Sequence, residues 1–180
     1  MSLLPQAELR QRAAAIRLAV FDVDGVMTDG RLYYSEDGRE LKAFNAQDGL
    51  GIKHLQRNGV TVAVITGRES PIVAHRMGEL GIDHVYQARE DKLDTYLHLV
   101  DALHLERSET LYIGDDLIDL PVLGLAGLAV SVPNGHPAVK ERVHWITPRA
   151  GGFGAARDVC DLLLDARGVL AGLIDSYQSP

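Results

Sequence analysis

Two aspartates, Asp22 and Asp24, stand one residue apart in VFDVDGVMTDG, at the end of an apolar run. A second acidic cluster, Asp115, Asp116 and Asp119, lies in GDDLIDLP. Carboxylates brought together repel one another and tolerate burial only when neutralised. A hard cation does this best, and an all-oxygen ligand set that leaves room for water suits Mg2+. Lys92 and a hydroxyl, Thr66 in ITGR, complete a set suited to phosphate chemistry. There Asp22 can attack phosphorus as a nucleophile, and Asp24 can act as general acid and then base. Each residue also has an ordinary structural explanation. Asp24 beside Gly25 is turn chemistry. Thr66, and Asp115 or Asp116, are natural helix caps. Lysines such as Lys92 mostly sit in solvent.

These residues can meet only if the elements between them end at one edge. RLAVFDV (17–23), TVAVIT (61–66), HVYQ (84–87), TLYIGD (110–115) and LAVSV (128–132) read as buried strands. DGLGIKHLQRNG, ESPIVAHRMGELG and DKLDTYLHLVDALHL carry helical spacing, the first two closed by Gly59 and Gly81. Apolar strands alternating with helices predict an α/β class, a parallel sheet covered on both faces. In such sheets ligands gather beyond the carboxyl ends of the strands. The first strand brings Asp22 and Asp24 there, the second Thr66, Gly67 and Arg68, and the fourth Gly114, Asp115, Asp116 and Asp119. Lys92 opens the helix after the third. One stretch breaks the alternation. RLYYSEDGRELKAF (31–44) reads as a β-hairpin turning at Asp37-Gly38. A projecting hairpin has poor stability alone. With Leu32, Tyr33, Tyr34, Leu41 and Phe44 to bury, it either folds back on its own core or, the reading favoured here, contacts another subunit.

The 180 residues suit one compact domain, 1–180, and 46% hydrophobic residues suit a folded chain. A net charge of −7 argues against a duplex nucleic-acid partner, which needs a basic face; a phosphate substrate needs only local positive charge. The one cysteine, Cys160, excludes a disulfide framework and sits in an apolar pattern typical of a core. The longest weakly polar run, LGLAGLAVSV, is too short to span a membrane, and the N-terminus lacks the apolar segment of a signal peptide. A cytoplasmic location is therefore expected. No histidine pair has the HxxxH spacing of a zinc site, and no GxSxG or Walker-type loop exists.

The motifs resemble those of the haloacid dehalogenase superfamily of phosphotransferases. FDVDGV is similar to its first motif, Thr66 to the second, Lys92 to the third and GDDLIDLP to the fourth. Dehalogenases of that superfamily lack the second aspartate, so Asp24 implies a phosphatase. Over nearly the whole chain, DVDGVMTDG, ELKAFNAQDGLGIK, ITGR, GDDLIDLP and AGGFGAARDVCDLLL resemble the 3-deoxy-D-manno-octulosonate 8-phosphate phosphatase family, which supplies a sugar acid for bacterial lipopolysaccharide. The resemblance implies a capless, Rossmann-like core and a homotetramer in which hairpin 31–44 makes the contact and a neighbouring subunit covers the active site. It implies Mg2+ held by the Asp22 and Asp115 side chains and the Asp24 backbone carbonyl. Asn45, Ala46, Gln47, Asp48 and Gly49 would line the pocket for a phosphorylated sugar acid. Arg68 and Arg76 would meet its anionic groups, with Lys53, Asp24, Lys92 and Asp116 also at the substrate. Lys53 stands where some relatives have arginine, which keeps the charge and loses the bidentate fork. Phe153 interrupts the GGxG tail, with Arg157 as the replacement donor. Asp119 is expected to orient Lys92 or the metal shell.

Three alternatives frame this reading. A nonulosonate 9-phosphate phosphatase would act on a similar carboxylated keto-sugar, and pocket shape decides between the two. A phosphoacceptor receiver domain uses the same residue types, but with adjacent acids first and the phosphorylated aspartate on a later strand. A non-catalytic oligomerisation module would have no use for the full set.

Overall fold

The computed structural model describes residues 1–178; the last two residues of the expected 1–180 domain lie outside the described residues. In chain order the elements are α1 (Gln6–Ala15), β1 (Leu18–Phe21), β2 (Tyr33–Tyr34), β3 (Glu40–Leu41), α2 (Ala46–Arg57), β4 (Thr61–Ile65), α3 (Pro71–Leu80), β5 (His84–Tyr86), α4 (Lys92–Ala102), β6 (Thr110–Ile113), α5 (Leu120–Leu123), β7 (Leu128–Ser131), α6 (Pro137–Lys140), β8 (Trp145–Ile146), α7 (Ala155–Ala166) and α8 (Leu170–Gln178). Six strands form one sheet in the order β5-β4-β1-β6-β7-β8, every pairing parallel. β1 is central: Phe21 lies opposite Val64 of β4 and Ile113 of β6.

The alternation of side chains along each strand divides the core into two layers. Ala19, Phe21, Val62, Val64, Leu111 and Ile113 pack with Leu9 of α1, Ile52 of α2, Met77 of α3 and Leu163 of α7. Leu18, Val20, Ala63, Ile65 and Tyr112 pack on the other side with Tyr96 of α4, Val122 of α5 and Val139 of α6. Helices on both faces are the expected Rossmann-like, three-layer α/β arrangement. β1 is buried throughout, which is why its sequence is apolar without interruption. Its Leu, Val and Phe side chains each contribute about 1.5–3 kcal/mol by leaving water. Cys160 is buried in the first layer.

The strands stop short of the polar residues expected to end them. Asp22, Thr66 and Gly114 each still donate one backbone bond to a neighbouring strand, to Ile113 (3.0 Å), Tyr86 (2.9 Å) and Val130 (3.2 Å). After that bond the chain leaves the ladder, which frees these segments to turn their side chains over the edge. The hairpin is present but small: only Tyr33↔Leu41 and Tyr34↔Glu40 pair, around a turn where Gly38 takes φ +79°. β8 and the one-turn helix α6 were not expected, because two to four residues show no periodicity, whereas α5 lies in the stretch LIDLPVLG that Asp115 or Asp116 was expected to cap. Among the described residues no helix is long and apolar enough to cross a membrane.

Candidate active site

A cavity of about 260 Å3 opens at the carboxyl edge of β1, β4 and β6. It is lined by Asp22, Asp24, Gly30, Thr66, Gly67, Arg68, Lys92, Asp115, Asp116, Ile118 and Asp119. A larger cavity of about 360 Å3 lies beneath α8, almost wholly apolar, and holds none of the strand-edge residues.

Lys92 is the first residue of α4. Its helix is capped by Asp91, which accepts from the backbone N–H groups of Leu93 and Asp94. The Lys92 side chain is only 1% exposed, with Nζ 3.0 Å from Asp22 Oδ1 and 2.7 Å from Asp119 Oδ1. Asp119 is saturated. Its Oδ1 also accepts from Tyr112 (2.7 Å), and its Oδ2 accepts from the backbone N–H of Asp115 (3.0 Å) and Asp116 (3.1 Å). Two glycines permit this closeness. Gly25 holds φ +92°, and a Cβ there would stand 2.1 Å from Asp115 Oδ2. At Gly114 a Cβ would stand 2.4 Å from Asp119 Cγ.

Negative charge is in surplus. Burial, then the charge of Asp119, pushes the Asp22 carboxyl well above its usual range, and Lys92 only partly offsets this. Burial, then Asp119 and Asp116, lifts Asp115 to about 7. Burial pulls Lys92 down, but Asp22 and Asp119 outweigh it and hold the amine above its ordinary value. Lys92 therefore stays an ammonium, and it is the carboxylates that lack a counter-charge. One oxygen each from Asp22, Asp115 and Asp119 lies within 4.8 Å of the others, an all-oxygen set that fits a hard divalent cation. Asp119 is occupied by four donors, so Asp22 and Asp115 are the carboxylates left to hold it.

The ordinary explanations sort differently. Lys92 is buried rather than solvated. Thr66 is buried, and the N-cap of α3 is Ser70 instead. Asp116 does act as a cap, accepting from Leu117 N–H at 2.8 Å. The 45–49 segment does not line the cavity, nor do Lys53 and Arg76. Asn45 caps α2 through Gln47 N–H (2.8 Å). Gln47 accepts from Arg149 (2.8 Å). Asp48 is buried, accepts from Arg157 N–H (2.7 Å), and is lifted by burial to about 6. Ala46 and Lys53 are exposed, and Arg76 pairs with Glu79 (3.1 Å) beside Gly49. Arg68 faces the cavity, with Nη2 2.6 Å from Glu40 and Nε 3.7 Å from Asp24. Phe153 is 63% exposed, and Arg157 directs Nε to Asp161 (2.7 Å).

Three residues at the site escape the sequence reading. Lys42 and Glu40 reach Asp24 and Arg68 from the hairpin. Asn134 donates to the Gly25 carbonyl (3.1 Å) and accepts from Gly151 N–H (2.8 Å), tying the acidic loop to the glycine-rich tail. The strand-edge rule, carried one strand further to β7, points to the loop holding Asn134. Nothing in the hairpin's pattern singles out Lys42.

Residues 82–156 match the family model of haloacid dehalogenase-like hydrolases. The chain is 48% identical, over 162 residues, to the 3-deoxy-D-manno-octulosonate 8-phosphate phosphatase of Yersinia pestis, covering 90% of this chain and 87% of that one. It belongs to the 3-deoxy-D-manno-octulosonate 8-phosphate phosphatase family. Solved structures of similar proteins share the fold. A probable YrbI family phosphatase from Pseudomonas syringae pv. phaseolica superposes with a TM-score of 0.95 at 50% identity, covering 97% of this chain and 99% of that one. The family member from Moraxella catarrhalis, solved in complex with a magnesium ion, a phosphate ion and a KDO molecule, superposes with a TM-score of 0.94 at 42% identity, covering 96% and 99%. Membership in this family removes the receiver-domain and oligomerisation-module alternatives.

Proposed function

We propose that this chain is a Mg2+-dependent phosphatase that hydrolyses 3-deoxy-D-manno-octulosonate 8-phosphate to the free sugar acid and phosphate through an aspartyl phosphate on Asp22. The observation that carries it is Lys92, buried between Asp22 and Asp119 with Asp115 alongside. That is an anion-and-cation cradle at the one edge where a doubly wound sheet binds ligands. Magnesium, held by Asp22, Asp115 and, by the family pattern, the Asp24 backbone carbonyl, would supply neutralisation of charge at the phosphate.

The remaining work falls to the chain. Asp22 attacks phosphorus in line, forming an Asp–O–P bond as the P–O bond to the sugar breaks. Asp24 gives its proton to the departing sugar oxygen, then takes one from the water that hydrolyses the aspartyl phosphate. Thr66 and Lys92 hold the transferring group's oxygens. Asp119 fixes Lys92. The 45–49 segment, Lys53, Arg68, Arg76 and Asp116 are assigned to the sugar acid. The reading includes one domain, a cytoplasmic location and a role in lipopolysaccharide biosynthesis.

It also includes a homotetramer built on the hairpin. Supporting this, Leu32, Tyr33, Tyr34 and Leu41 are all exposed, an apolar surface that a partner would cover. The wild-type mass by light scattering should be four times the 19.6 kDa chain. The double variant Tyr34→Glu, Leu41→Glu should be smaller; an unchanged mass would remove the hairpin from the interface.

The function is tested by phosphate release from the octulosonate 8-phosphate and a nonulosonate 9-phosphate, side by side, with and without Mg2+. Mg2+-dependent preference for the first supports the reading. Preference for the second moves the substrate and keeps the chemistry.

A further inference from the structure

Most of the hairpin is exposed, Phe44 is half-buried against the core, and the Lys42 side chain is the one most withdrawn from solvent. Lys42 leaves the end of β3 with its side chain 2% exposed, though Leu41 before it is 58% exposed. Burying a lysine ammonium is costly unless it is paired. Here Nζ donates to Asp24 Oδ1 and lies 3.5 Å from Glu40 Oε1. Glu40 accepts from Arg68 Nη2 at 2.6 Å, and Arg68 Nε returns to Asp24 Oδ2 at 3.7 Å. Asp24, Lys42, Glu40 and Arg68 thus close a ring of alternating charge. The two oxygens of Asp24 are met from different sides, Oδ1 by Lys42 and Oδ2 by Arg68. Oδ1 is thus hydrogen-bonded to Lys42, while Oδ2 meets Arg68 only at ion-pair distance and is the less engaged oxygen.

We propose that Lys42 is a positioning residue for the reaction: it fixes the plane of the Asp24 carboxyl so that one oxygen faces the leaving-group oxygen of the phosphate ester. The hairpin is then part of the catalytic apparatus of its own chain. This rests on Asp24 being the general acid of the proposed phosphatase. Positioned acid catalysis is worth about 10²–10⁴-fold and demands hydrogen-bond reach to the accepting oxygen. An alkoxide leaving group needs that proton, whereas p-nitrophenolate leaves without it. Lys42 therefore matters for one class of ester and not the other.

The experiment compares kcat/KM, which reports the first transfer to Asp22, for a sugar 8-phosphate and for p-nitrophenyl phosphate. It uses wild type, Lys42→Met and Lys42→Arg, with thermal unfolding and mass measured on each. The expected result is a loss of about 100-fold for Lys42→Met on the sugar phosphate and less than about 5-fold on p-nitrophenyl phosphate. Lys42→Arg, which keeps the charge, should recover part of the sugar-phosphate rate. Equal losses on both esters would show that Lys42 only supports the fold, and no loss on either would show that Asp24 is held without it. Both results overturn the proposal. If Lys42→Met unfolds, the ratio of the two esters for Lys42→Arg against wild type decides it. Wild type failing on the sugar phosphate would instead overturn the functional reading.

Discussion

Asp22 sits where a carboxylate is least at ease, buried beside Asp119 and Asp115 with one ammonium among three acids. Asn in its place keeps the shape and removes one charge from a site with too many. Asp22→Asn should therefore lower turnover by at least about a thousand-fold while its melting temperature stays level or rises. Phosphate-release assays and thermal unfolding check both; substantial residual turnover would point to another nucleophile. At this scale the sequence was informative because the chemistry-bearing residues directly follow apolar runs: Asp22 after LAVF, Thr66 after TVAVI, Asp115 after TLYIG. Lys42 was silent for the same reason reversed, since it follows exposed Leu41 in a polar hairpin arm. Arg68 was legible by position, but its pairing with Glu40 depends on the hairpin folding back toward β4.

The loop after β1 is an element as much as a set of residues. It makes one tight turn, with Val26, Met27 and Thr28 N–H groups all bonded to the Val23 carbonyl. Gly25 carries the left-handed φ within it. Alanine there meets a backbone conformation costing about 1–2 kcal/mol and collides with Asp115. We expect Gly25→Ala to weaken Mg2+ affinity, measured by calorimetric titration, by more than the strain alone. Unchanged affinity would place the cation away from Asp115. Long apolar runs made β1, β4, β6 and β7 readable as strands. β8, with only Trp145 and Ile146, was not readable, and neither was the single turn α6. The Asp37-Gly38 turn was readable, while the shortness of its two arms was not, because pairing length depends on what supports a hairpin.

For the whole molecule, charge and burial predict a link between protons, metal and stability. Asp115 titrates near 7 in the fold and near 4 in an unfolded chain. Between those values the folded state holds a proton that the unfolded state has released. Metal-free stability should therefore fall as pH rises from about 4 through 7. A cation at Asp22 and Asp115 reverses the penalty by favouring their charged forms. Mg2+ should raise the melting temperature more at pH 8 than at pH 5, and at pH 7 its binding should release protons. Calorimetry in buffers of different ionisation enthalpy would measure that release; its absence would remove both carboxylates from the cation site.

The order of apolar runs, helical stretches and polar strand ends was enough to establish the layered α/β class and to name residues that meet at the carboxyl edge of its strands. That information is local: a residue after a strand goes to that strand's end wherever the strand lies. The sheet order β5-β4-β1-β6-β7-β8, which sets β1 between β4 and β6, was decided only by tertiary packing. So were the saturation of Asp119 by four donors, the use of Asn134 as a tie between two loops, and the burial of Lys42 against Asp24. Lys92 reaches Asp119 across 27 residues, Asn134 reaches Gly25 across 109 and Lys42 reaches Asp24 across 18, and no local pattern encodes a partner that only the folded core brings within reach.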